Sequence, residues 1–250
     1  MKKRLLLPSL FFFTITAFPQ DVNYLLTEGE QLEKAMKGAE ALKKYQEAIR
    51  ISPGNIQALI KCSEMSSIIG NRQKEKKARV EYFNAARTYA ETALKLNPAD
   101  ADANYVMAMC MGRLALINSG KEKVKNVKDI KSYADAALAA NPNHLKALHV
   151  LGKWNYEVYS LNFAERAALK VLYGGLPPAS ITQAIDCYEK VRKADPWFIL
   201  NYLELAKAYK ENHQTDKAIE VLNRMLKLPP KSEDDAGYKA EGKKMLDSLL

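Results

Sequence analysis

Five times along this chain a helix-forming stretch runs into a proline stop, and before each stop stands the same spaced set of small and apolar residues. The stops are Ile51-Ser52-Pro53, Asn97-Pro98, Asn141-Pro142, Asp195-Pro196 and Leu228-Pro229-Pro230. Proline ends a helix because it lacks the amide donor and its ring clashes with the preceding turn. The sets are Ala41, Tyr45 and Ala48; Ala86, Ala90 and Ala93; Ile130, Ala134 and Ala137; Ala184, Tyr188 and Val191; Ala218, Leu222 and Met225. Residues at i, i+4 and i+7 share one helix face, and small ones let a neighbouring helix approach closely. A chain that repeats this arrangement predicts stacked helix pairs in one continuous array. Gly (11) and Pro (10) are sparse in 250 residues. With no alternating Val/Ile/Thr run to suggest a strand, the reading is all-α.

After the stops, second amphipathic helices begin. Leu148, Leu151, Gly152 and Tyr156 fall in one, and Tyr202, Leu205, Ala206 and Tyr209 in another. This order resembles the first helix of a tetratricopeptide (TPR) unit, whose period is about 34 residues. The expected fold is an all-α, TPR-like solenoid of about five helix pairs spanning 21–250. Its repeats fall near 22–55, 56–100, 101–144, 145–198 and 199–231. A capping helix over 233–249 is expected to cover the apolar face of the last repeat. Ser232-Glu233-Asp234-Asp235 before it suits N-capping and the helix dipole.

The three middle repeats carry extra length between their paired helices. The additions at Asn71–Lys77 and Ser119–Val127 are mostly charged and are expected to lengthen helices. The third, Val158–Ser180, predicts a helix of its own ending at Gly174-Gly175. Solenoid insertions map to one face and often meet partners there. Phe163, Arg166, Val171, Leu172 and Tyr173 are the candidate contact residues. The competing reading has this helix cover an exposed end of its own repeat.

Met1–Gln20 reads as a signal peptide: Lys2, Lys3 and Arg4 precede an apolar run from Leu5 to Phe18. As a helix that run rises only about 21 Å, against about 30 Å of bilayer hydrocarbon. An exported chain, periplasmic or secreted, is expected; the rival is a retained N-terminal anchor. The formal charge is +9, and removing the segment leaves 35 basic against 29 acidic residues, or +6. Lysine-rich stretches such as Lys121–Lys128 lack interleaved aromatics, which disfavours nucleic-acid binding.

Sites for chemistry are not apparent. Cys62, Cys110 and Cys187 are far apart and odd in number, suiting neither a disulfide framework nor a metal site. His144, His149 and His213 show no ligand spacing. Gly237 to Lys243 begins like a phosphate-binding loop, but Lys244 stands where Ser or Thr must follow. A non-enzymatic protein without cofactor or metal is expected.

In TPR arrays the first helix of each pair lines a concave groove. By position the lining candidates are Tyr105, Met109 and Arg113, then His149, Lys153 and Tyr156, then Leu203, Lys207 and Lys210. Lysine and arginine suit a carboxylate, while tyrosine and methionine supply contact area. The bland alternative is a solvated groove. The expected function is a scaffold in the cell envelope or secreted space that holds a peptide or partner domain. The alternative is an exported TPR-like subunit that delivers a small molecule to a transporter, for which an apolar cavity would speak.

The second half carries a narrower resemblance. Leu151-Gly152-Lys153-Trp154-Asn155-Tyr156, the run Asn162–Leu172, Pro177-Pro178-Ala179-Ser180, Asp195-Pro196-Trp197-Phe198 and Pro229–Asp234 stand in order with their spacings intact. Over Val80–Leu250 the chain resembles the regulator of microtubule dynamics family. The resemblance implies a TPR-like fold and protein binding, and it supplies no catalytic residues. Microtubule association does not carry over to a chain that opens with an export signal.

Overall fold

A computed structural model describes residues 21–250, so the expected signal segment Met1–Gln20 lies outside the described residues. The described residues form twelve helices and no strand. Helix α1 (Val22–Lys34) pairs with α2 (Gly38–Ile51), α3 (Ile56–Arg72) with α4 (Lys76–Leu96), and α5 (Ala101–Ile117) with α6 (Gly120–Ala140). The fourth pair is α7 (Leu145–Tyr159) with α9 (Ile181–Ala194), and α8 (Phe163–Tyr173) lies between them in the chain. Next come α10 (Ile199–Glu211) and α11 (Thr215–Lys227), and α12 (Asp235–Asp247) packs on both. The result is an all-α, TPR-like solenoid of five helix pairs with a C-terminal capping helix. No helix among the described residues is long and apolar enough to cross a membrane.

Four of the five proline stops form one recurring turn. The carbonyls of Ser52, Asn97, Asn141 and Asp195 accept the amides of Asn55, Asp100, His144 and Phe198, with proline in the second position, where its fixed φ suits a turn. Three of those residues then cap the next helix. Asn55 and Asp100 accept the amides of Ala58 and Ala103 at 2.8 Å each, and His144 Nδ1 accepts that of Ala147 at 3.1 Å. With Nδ1 accepting, His144 Nε2 carries the proton and donates to Asp102 at 2.9 Å. That bond, outweighing burial, draws the Asp102 carboxyl below its usual range.

The spaced sets are the buried face of the second helices, with only Ile130 partly exposed. Ala41, Tyr45, Ala48, Ala86, Ala90, Ala93, Ala134, Ala137, Ala184, Tyr188, Val191, Ala218, Leu222 and Met225 are all fully buried. Burying a side chain as large as Tyr45 or Tyr188 contributes about 2–3 kcal/mol. Both rings need a hole in the partner helix. A Cβ at Gly29 would stand 2.3 Å from Tyr45, and one at Gly152 2.8 Å from Tyr188. Glycine is therefore required where tyrosine crosses.

The first two insertions lengthen helices as their charge pattern suggested, giving α3 and α5 17 residues and α4 and α6 21. The third folds as α8, whose Asn162–Glu165 capping box starts it and whose Gly174, at φ 73°, ends it. None of its residues is buried.

The capping reading of Ser232–Asp235 is corrected. Asp234 occupies the N-cap position but its side chain makes no cap bond. Asp235 reaches backward, accepting the amides of Lys231 and Ser232 at 2.7 and 2.8 Å. Glu233 and Asp234 point away from their own helix, because Arg72 and the free amide of Gly38 offer stronger, charge-assisted partners. The Gly237–Lys243 stretch lies inside α12 as ordinary helix.

Candidate partner-binding groove

Successive first helices touch one another: α3 with α5, α5 with α7, α7 with α10, and α10 with α12. Charged and phenolic side chains run across this layer in pairs. Glu33 on α1 accepts from Tyr45, and from Lys61 of α3 at 3.0 Å. Glu64 on α3 accepts the Tyr105 hydroxyl of α5 at 3.0 Å and pairs with Lys146 of α7. Glu204 on α10 joins Lys153 of α7 at 2.8 Å and Lys207 at 3.1 Å, and Lys207 reaches Glu241 of α12 at 2.8 Å.

Glu64 and Glu204 are buried, at 5% and 4% exposure. Burial by itself raises a carboxyl, yet Lys146 at Glu64, and Lys153 with Lys207 at Glu204, hold both below the ordinary range. On the lysine side burial pulls down and the carboxylates win, so Lys146, Lys153 and Lys207 sit above their usual value.

Tyr105, Met109 and Arg113 form one stripe on α5, and the Tyr105 hydroxyl also lies 3.6 Å from Met109 Sδ. Lys153 and Tyr156 share a face of α7, with the ammonium 5.7 Å from the ring centroid. Three positions are corrected. Tyr105 is 6% exposed and belongs to the core with Phe83 and Cys110, its hydroxyl held by Glu64. Leu203 is 1% exposed and belongs to the core around Tyr188 and Leu222, not to the groove wall. His149 is buried, with Nδ1 3.1 Å from Asn201 Oδ1 and its ring against Tyr188 and Phe198. Burial lowers its pKa, so it stays neutral. Lys210 is exposed near the end of α10, beyond the paired charges. The sequence reading missed Glu33, Glu64 and Glu204; for Glu64 and Glu204, a carboxylate set among apolar residues was the available signal, and Glu33 stands in a glutamate-rich helix that gave none.

Arg113 differs from the other cations named. Its Nε is buried with no hydrogen-bond partner among the described residues. Desolvation pulls its guanidinium below the usual range. Its nearest carboxylate influence is Asp234, but both oxygens of Asp234 are taken by Arg72, at 2.7 and 2.9 Å. The same Arg72 bonds Glu233 at 2.6 Å, and Glu233 accepts the Gly38 amide at 2.9 Å. The turn before α12 thus clasps the first two repeats. The wall between these contacts is charged and tyrosine-rich rather than apolar.

All three cysteines are buried and free. Burial pushes the Cys62 thiol up to about 12 and that of Cys187 up to about 11. Neither is a nucleophile at neutral pH.

A family model described as regulator of microtubule dynamics protein 1-3 matches residues 25–250. Regulator of microtubule dynamics protein 1 of Caenorhabditis elegans is 28% identical over 212 residues, covering 84% of this chain and 92% of that protein. The Bos taurus protein of the same name is 27% identical over 184 residues, 73% of this chain and 57% of its own length. The match therefore spans little more than half of the bovine relative. Among solved structures, a thermophilic TPR protein of Thermus thermophilus superposes with a TM-score of 0.64 at 16% identity. That superposition covers 90% of this chain and all of the other, and it bears on the fold alone.

Proposed function

This chain belongs to the regulator of microtubule dynamics protein 1-3 family, and from that premise we propose that it is a non-enzymatic scaffold whose groove holds an acidic, extended segment of a partner polypeptide. The observation that carries this reading is Arg113, a groove cation with a buried, unbonded Nε, one turn along α5 from Met109. A guanidinium with a buried, unbonded Nε and no ion-pair partner of its own among the described residues suits a carboxylate that arrives with the partner. Lys153 and Lys207 already hold carboxylates of this chain, so they shape the wall and set its register, and Lys210 stands exposed beyond them. The relatives are named for microtubule dynamics; the reading for this chain keeps the scaffold and leaves microtubules out. Its opening segment, Lys2 through Phe18, supports an exported setting, periplasmic or secreted.

The test is selection of extended peptides from a random library on the folded protein, repeated with Arg113→Met. Enrichment of Asp- or Glu-bearing peptides whose affinity falls about tenfold or more in the variant supports the groove. Peptides without acidic residues, or affinities that ignore the substitution, would remove Arg113 from the site. A photocrosslinker at Met109 in the native host then identifies the partner.

A further inference from the structure

Helix α8 turns an apolar face to solvent. Phe163, Ala164, Ala167, Ala168, Val171 and Leu172 fall within one half of its circumference, and every one is exposed. Phe163 is 87%, Val171 83% and Leu172 66% exposed. Monomers seldom leave such a continuous face uncovered. Side-chain bonds tie the helix to its neighbours. Arg166 donates to the carbonyls of Tyr159 and Leu161, and Lys128 of α6 donates to the Tyr173 carbonyl at 3.0 Å. Beneath it lies a cleft of about 300 Å³ lined by Val158, Leu161, Leu169, Leu176 and Pro177.

Charge surrounds this face on one side. Arg166 and Lys170 flank it along α8, and Glu165 is the single acid of that helix. The start of α6 comes next to its far end, where a Cβ at Gly120 would lie 3.6 Å from the Tyr173 hydroxyl. That start carries exposed Lys121 and Lys123 with exposed Glu122 between them, a net positive charge. An apolar strip bordered by cations is complementary to the edge of an anionic bilayer, where acyl chains lie beneath negative headgroups. An antiparallel second copy would instead set the cationic edge against itself.

We propose that α8 is a membrane-surface docking helix that seats Phe163, Val171 and Leu172 among the acyl chains of an anionic leaflet. The full chain is mixed with vesicles of phosphatidylcholine alone, or with one third phosphatidylglycerol, and co-sedimentation is measured. Phe163→Ser/Val171→Ser/Leu172→Ser and Lys121→Glu/Lys123→Glu/Lys170→Glu are compared with the parent, all carrying the same N-terminal segment. Circular dichroism verifies folding, which exposed substitutions should leave intact. The expected result is binding to anionic vesicles that falls about tenfold or more in either variant and weakens in high salt. Equal binding by parent and variants would overturn the proposal. So would a sedimentation-velocity dimer that only the serine variant dissociates, which would assign the face to a second copy.

Discussion

Arg72 and Asp234, 162 positions apart, meet fork to fork, with Nε donating at 2.7 Å and Nη2 at 2.9 Å. This contact, with Glu233 on Gly38, ties the turn before α12 to the first two repeats. Arg72→Ala is expected to release it and to lower stability by about 1 kcal/mol, the modest value of a partly exposed bidentate pair. Small-angle scattering should record a larger radius of gyration, and a denaturant titration the loss. An unchanged radius would show that packing of α12 on α10 and α11 holds this turn in place unaided.

Gly152→Ala tests the tyrosine crossing. Alanine gains about 1 kcal/mol of helix propensity, but a Cβ 2.8 Å from the fully buried Tyr188 ring forces overpacking of about 1–3 kcal/mol. The clash should win. Gly237→Ala is the control: nothing lies within 4 Å of its Cβ, so it should stabilise α12 by up to about 1 kcal/mol. Urea midpoints for the two variants should move in opposite directions.

Arg113→Met should leave stability unchanged or raise it by about 1 kcal/mol, because it removes a buried cation whose Nε lacks a partner. A clear loss in the unfolding midpoint would mean that Arg113 serves the fold rather than a ligand.

The Glu64 and Glu204 carboxyls titrate lower in the folded protein than in the unfolded chain. Their stabilisation is fully present above the ordinary glutamate value of about 4.3 and is lost as pH falls through the depressed folded values. Glu204→Gln should flatten that acid limb. It should also cost about 1–2 kcal/mol at neutral pH, reduced because Lys153 reaches water. Stability measured from pH 7 to pH 3 decides it; parallel curves would refute the assignment.

The three thiols should ignore Ellman's reagent at pH 8 in the native protein and react only on unfolding, since burial holds Cys62 near about 12 and Cys187 near about 11. Rapid native labelling of either would show local opening of its repeat.

Helix pairing and the third insertion were legible because proline and glycine act locally, and because close helix crossings demand small residues at fixed spacing. Pro98 or Gly174 ends a helix whatever surrounds it. The phase of the groove was harder to read. Helix α10 is buried on most of its circumference, between α7, α9, α11 and α12. Its apolar pattern therefore cannot say which side faces the groove, and Leu203 was placed where its neighbour Glu204 stands. Helix α7 raised the same difficulty, and His149 proved to be packed against Phe198.

The order of helices and the places where they stop follow from the sequence by itself, since each depends on neighbours a few residues away. The tertiary structure alone decided that Arg72 would take Asp234, leaving Arg113 without it, and that Glu64 would bridge Tyr105 and Lys146. Those partners come from separate repeats. Their meeting depends on small rotations between successive helix pairs, summed along the solenoid, and no local pattern encodes that sum.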